Sequence, residues 1–228
     1  ISISGALSEF WISRGVDKSK IIALHDGVSE SRLNDKISLE ESRKECNLDI
    51  NKKYVVYTGS LDKNRGIDSI IKLSQEIKSV NFLVVGGDSY QVDYYNKLIN
   101  NTLDNIHFVG HVPHAKIKYY LAAADVLLMI WSWDIRTMKY CSPLKLFEYM
   151  ASGRLIVGNG FPTIKEVLQD GIDSFLVDPD NYYSLKKALI SALELKDSSK
   201  FSEKLLLKTK KYTWEKRASI IAGRLFSN

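Results

Sequence analysis

The segment Tyr140-Cys141-Ser142-Pro143-Leu144-Lys145-Leu146-Phe147-Glu148-Tyr149-Met150-Ala151-Ser152-Gly153 carries the sharpest chemistry in this sequence. Ser142 is a good N-cap and Pro143 a good first helical residue, so the pattern predicts a helix starting there. Its first-turn amides, including those of Leu144 and Lys145, lack intrahelical partners. Together with the positive end of the helix dipole they form an anion site. Lys145, one turn in, adds a full charge suited to a diphosphate. Leu144, Phe147 and Ala151 fall on one face with Leu146 and Met150 beside it, and Lys145, Glu148 and Ser152 form the opposing stripe. Glu148 would repel a phosphate and is better suited to accept bonds from two sugar hydroxyls, such as a ribose diol. Taken alone, the segment also reads as a capped surface helix with a Lys–Glu pair, which is the commoner case.

Two further loops follow apolar runs. Gly59-Ser60-Leu61-Asp62-Lys63-Asn64-Arg65-Gly66-Ile67-Asp68 leaves a strand at a glycine, which lets backbone approach a ligand closely. Arg65 could grip a phosphate through two parallel hydrogen bonds, or could be an exposed loop arginine. This is neither a Walker loop nor a G-x-G-x-x-G fingerprint. Val109-Gly110-His111-Val112-Pro113-His114 follows another strand and could offer backbone groups to a base edge. No carboxylate or cysteine accompanies the two histidines at ligand spacing, so they read as solvated loop residues rather than metal ligands.

The elements that must position these loops alternate regularly. Apolar runs at Ile21–His25, Tyr54–Thr58, Phe82–Val85, Ile106–Val109, Val126–Ile130, Leu155–Val157 and Phe175–Val177 read as strands. Helices are expected over 38–46, Ile67–Ile77, 90–101, Pro113–Ala123, Pro143–Ser152, Thr163–Gln169, 181–194, 199–210 and 213–226. The helix at Thr163 carries capping-box spacing to Glu166, with Gly171 as its stop. Alternation of mostly apolar strands with amphipathic helices implies an α/β, Rossmann-like, doubly wound parallel sheet covered on both faces. Ligands of such sheets bind beyond the C-terminal strand ends, where the three loops lie.

Composition narrows the class. The 228 residues are 45% hydrophobic and 26% charged, enough for one good α/β core. The net charge of +5 comes from dispersed lysines rather than a basic stripe with stacking aromatics, which argues against nucleic acid. Cys46 and Cys141 have neither disulfide nor zinc spacing, so a reducing, cytoplasmic setting is the simplest reading. No run approaches a membrane span, and the first six residues lack the features of a signal peptide.

Together these segments resemble the C-terminal domain of the family-4 retaining glycosyltransferases, which have the two-domain GT-B fold. Ile22 to Val28 resembles the family's I-x-V-I-P-N-G-V-D turn, Gly59 to Asp68 its G-x-L-x-x-x-K-G-x-D loop, and Ser142 to Val157 its S-P-L-K-L-F-E-Y-M-A-x-G-x-P-I-V segment. Tyr212-Thr213-Trp214-Glu215 is similar to its F-T-W-E. The resemblance implies a nucleoside-diphosphate sugar as donor. Gly59, Ser60, Arg65, Ser142, Pro143, Leu144 and Lys145 would hold the diphosphate, Glu148 the ribose, and the backbone around His111 and Val112 the base. It implies no metal and no other cofactor, with cations and the helix end offsetting the phosphate charge. Tyr140 stands where the family often has a first glutamate that touches the transferred sugar, and Ser60 where many members have a second arginine. Both departures point to an altered donor preference.

The same resemblance divides the chain into a 1–20 tail of an N-terminal acceptor domain, a 21–210 donor domain and a 211–228 closing helix that packs back toward the N-terminal domain. Residues 1–4 would be that tail's strand and Ala6–Arg14 its helix. The acceptor, a glycan or glycolipid, and a catalytic histidine or its equivalent would then lie on the N-terminal domain, so this chain alone is expected to bind weakly and transfer little. A glycolipid acceptor would bring peripheral contact with the inner face of a membrane. Two other readings stay open: a GT-B epimerase or hydrolase, and a non-catalytic nucleotide- or partner-binding module, to which Ser60, Tyr140, Trp131 and Trp133 lend support. A nicotinamide dehydrogenase is disfavoured, because no glycine fingerprint follows the first strand.

Overall fold

A computed structural model describes residues 1–35, 37–100 and 102–226. Asn101, the end of the expected 90–101 helix, and Ser227 and Asn228, the end of the expected closing segment, lie outside the described residues.

Six strands form one parallel sheet: β1 (Tyr54–Thr58), β2 (Asn81–Val85), β3 (Ile106–Gly110), β4 (Val126–Met129), β5 (Leu155–Asn159) and β6 (Phe175–Val177). Their order is β3-β2-β1-β4-β5-β6, the doubly wound arrangement, with the order reversing between β1 and β4. Strand residues alternate between two cores, because successive side chains point to opposite faces. Val55, Tyr57, Phe82, Val84, Val126, Leu128, Leu155 and Val157 pack under α3 (Ile67–Glu76), α4 (Ser89–Ile99) and α8 (Tyr182–Glu194). Tyr54, Val56, Leu83, Val85, Leu127, Met129 and Ile156 pack under α5 (His114–Ala123), α6 (Leu144–Ser152), α7 (Pro162–Lys165) and α9 (Ser199–Thr209). Each fully buried aliphatic side chain contributes about 2 kcal/mol, and burial on both faces is why these strands read as continuous apolar runs.

The flanking segments depart from expectation. Ile21–His25 is not a sheet strand, and neither is Ile1–Ser4. They meet only in a one-residue parallel bridge, Ser2 with Ala23, off the main sheet. The Ile21–Leu24 run stays half-buried. Helix α1 (Gly5–Ile12) follows, capped by Ser4, and α2 (Leu39–Glu45) by Ser38. The 163–169 helix shrinks to the single turn of α7, and no capping box forms. The Thr163 hydroxyl donates to the Met138 carbonyl, and Glu166 turns to the amides of Gly5 and Ala6, so tertiary partners outcompete the local motif. The C-terminal helix α10 (Trp214–Phe226) buries none of its residues. Among the described residues no helix is long and apolar enough to cross a membrane.

Candidate functional site

The site lies beyond the C-terminal ends of β1 and β2, facing the start of α6. At Gly59 the backbone turns away from β1 with φ of +144°, and a Cβ there would fall 2.6 Å from Lys145 Nζ. The missing side chain therefore makes room for the ammonium. Lys145 Nζ sits 4.1 Å above the Tyr57 ring and 5.1 Å from the Trp131 ring, a cation held by two aromatic faces. The Tyr57 hydroxyl donates to the Ser60 carbonyl at 2.9 Å, fixing the loop. Burial pushes the Lys145 ammonium down to about 7; the nearby Arg65 charge lowers it further and Glu148 opposes both. Among the described residues, no carboxylate lies within ion-pair distance of Lys145 or Arg65. Two neighbouring cations left unpaired make a site for an anion of more than one charge.

Gly59, Ser60, His111, Val112, Lys145 and Glu148 line one cleft of about 440 Å³. Glu148 stands across it from the β1 loop, with one carboxylate oxygen 3.0 Å from the exposed His114 imidazole. A second cavity of about 210 Å³ opens by the Asn64–Gly66 turn, but Asp62, Asp68 and Asp180 on its wall disfavour an anion.

Other expected site residues lie elsewhere. Leu144 is 54% exposed rather than on the apolar face, because it opens the helix before the first buried turn. Pro143 is the residue just outside the helix, which has no side-chain cap. Ser142, 95% buried by its 5% exposure, therefore does not cap α6: its oxygen accepts from the Asp26 amide at 2.8 Å and lies 3.3 Å from His25 Nδ1. Tyr140 does not line the cleft; its ring packs against Phe10 of α1 at 5.2 Å. Trp131 is buried beneath Lys145, and Trp133 packs edge-on against Phe161 at 4.5 Å.

The sequence reading missed the residues that hold these groups in place. Tyr149 is fully buried, and its hydroxyl accepts from the Thr58 amide at 2.8 Å and donates to the Leu128 carbonyl at 3.3 Å. It pins α6 to the ends of both β1 and β4. Its place one turn after Lys145 was the available signal. Tyr149→Phe would strand two backbone groups, and the expected cost is about 2 kcal/mol, read as a lower midpoint in urea unfolding. His25 also joins Ser142 to Glu166, 2.8 Å from its Nε2. This Ser–His–Glu order imitates a nucleophile relay, but a buried Ser142 oxygen already bonded by a backbone amide has no path to a substrate.

The chain matches the protein-family model of the glycosyl transferases group 1 over residues 52–195. The chain belongs to this family. It is 25% identical over 199 residues to an uncharacterised glycosyltransferase of Methanocaldococcus jannaschii, covering 85% of the chain and 49% of that protein. It is 23% identical over 223 residues to the alpha-galactosylglucosyldiacylglycerol synthase of Streptococcus pneumoniae, covering 92% and 58%. The chain thus spans about half the length of these curated relatives. Among solved structures it is similar to Anabaena HepE in complex with UDP and glucose, with a TM-score of 0.81 at 17% identity over 100% of the chain and 62% of that protein. The group 1 chain therefore has the Rossmann-like architecture of a GT-B half, as its strand order indicates.

Proposed function

We propose that this chain is the donor-binding half of a retaining glycosyltransferase, taking a nucleoside-diphosphate sugar and passing the sugar to a glycan or glycolipid acceptor. The observation that carries this reading is that Lys145 and Arg65 stand near each other with no ion-pair partner, beside the uncapped start of α6, while Lys145 lines one cleft with Glu148. The cations and first-turn amides receive the diphosphate, Glu148 the ribose diol, and the backbone near His111 and Val112 the base. Charge developing on the departing diphosphate is stabilised by these fixed groups, the main term such a half-site supplies. Attack on the same face would keep the anomeric configuration. Residues 21–210 form the donor unit, 1–20 belong with an acceptor domain, and 211–228 return toward it. The unburied α10 supports that last assignment.

The test is calorimetric titration with UDP, GDP and ADP in the presence of a chelator. One diphosphate is expected to bind without metal. Glu148→Ala should weaken it about twentyfold, the worth of hydrogen bonds to a charged acceptor, while barely changing affinity for the 2′,3′-dideoxy analogue. Equal loss for both analogues would overturn the ribose role. Failure of every diphosphate to bind the folded chain would overturn the donor site.

A further inference from the structure

Lys145 and Glu148 stand three residues apart on α6, the spacing at which a Lys–Glu pair ordinarily closes on a helix surface. Here the pair stays open. Lys145 Nζ lies over the Tyr57 and Trp131 rings, and the carboxylate is bonded instead to His114, whose Nε2 is 3.0 Å from Glu148 Oε1. An acceptor-only carboxylate requires an N–H at that nitrogen. His114 is the first residue of α5, placed by Pro113 in extended backbone just after the loop that leaves β3. Its side chain is 83% exposed and that of Glu148 only 22%, and both line the cleft. The imidazole thus reaches in from the rim to a more enclosed carboxylate. Among the described residues no second side chain or amide bonds Glu148, so this one contact sets where the carboxylate points.

We infer that His114 is a positioning residue that holds the Glu148 carboxylate off Lys145 and ready for the ribose diol. The inference rests on the donor-site reading above and deepens it. A carboxylate bonded by His114 through Oε1 keeps Oε2 and a further lone pair on Oε1, enough for two hydroxyls. Without the imidazole, the charge one turn back on the same helix is Lys145, and the ordinary pair can close. Closure withdraws an acceptor from the ribose and a cation from the phosphates at once.

The experiment measures affinity for UDP (or for GDP or ADP, should only that nucleotide bind) and for its 2′,3′-dideoxy analogue by calorimetry. The proteins compared are the wild type, His114→Ala, Glu148→Ala and the double variant. His114→Ala is expected to lose about fivefold for the natural nucleotide, the upper end for an exposed pair, and less for the dideoxy analogue. In the Glu148→Ala background the same substitution should change affinity by less than about twofold, because no carboxylate remains to be positioned. An equal loss with and without Glu148, or an equal loss for both analogues, would make His114 a direct nucleotide contact and overturns the inference, as does an unchanged His114→Ala. His114→Gln places an amide N–H near the Nε2 position and is expected to restore the affinity, whereas the shorter His114→Asn is not. Gln no better than Ala and Asn also overturns it. A wild type that binds no diphosphate, or a Glu148→Ala with unchanged affinity, overturns the donor or ribose reading itself, and either failure is visible before any His114 variant is compared.

Discussion

Lys145→Ala is expected to weaken nucleoside-diphosphate binding about a hundredfold while leaving the folded chain no less stable, since charge-assisted bonds to phosphate are worth about 2–3 kcal/mol. The two effects have opposite signs because the ammonium is unfavourable in the empty site. It is buried, stands beside Arg65 and has no paired carboxylate among the described residues, which is why its pKa falls from 10.5 to about 7. Linkage fixes the pH behaviour. Between these values the unfolded chain holds a proton that the folded chain lacks, so this group makes stability rise with pH through the window. Below pH 7 both states are protonated and the folded state carries the whole cost of the buried charge. A bound diphosphate reverses the preference by favouring the ammonium, so binding takes up a proton and affinity falls as pH rises from about 7 to 9. Titrations in buffers of different ionisation enthalpy would detect that uptake. Persistence of the same pH dependence in Lys145→Ala would assign it to another group and end the argument.

The parts of this fold that depend on local pattern were legible in the residues. Runs such as Val126–Met129 are apolar at every position because helices cover both faces, and Gly59 and Gly110 mark the strand ends where a ligand can approach. What misled were positions where a distant partner overrides a local rule. Ser142 followed by Pro143 is a sound capping signal, but the hydroxyl is bonded by Asp26, 116 residues earlier. Thr163 and Glu166 have capping-box spacing, yet Glu166 binds two amides of α1 some 160 residues away. Ile21–Leu24 has strand composition, but composition cannot say whether a second face will be covered. Tyr57 falls within an expected strand and Tyr149 within an expected helix, and their rings are core. Their hydroxyls shape the cleft, a role set by where β1 and β4 end relative to α6, and no single-segment pattern contains that relation.

Gly86→Ala tests whether the cleft floor is as close-packed as those strand ends require, and it should be the most damaging small substitution in the site. Three strand ends are stitched together there. The Gly59 amide donates to the Val85 carbonyl at 2.9 Å, and the Gly86 amide to the Gly110 carbonyl at 2.8 Å. A Cβ on Gly86 would fall 2.1 Å from the Gly59 carbonyl oxygen, at a φ of +122° that side-chain-bearing residues rarely adopt. The obstructing atom is backbone, so no rotamer change relieves it, and either β1 or β2 must move. Overpacking and positive-φ strain together predict a loss of about 3–4 kcal/mol, or about 10 °C in thermal midpoint for a chain of this size. Gly110→Ala supplies the contrast. Its φ of +78° is also left-handed, but its Cβ would meet only Val92 Cγ2 at 3.5 Å, an ordinary contact. It should cost about 1 kcal/mol from backbone strain alone. Because Gly59 and Gly86 both line the cleft, Gly86→Ala should also abolish nucleotide binding at temperatures where it remains folded. Equal melting points for the two variants would mean that the β1 and β2 ends can separate freely.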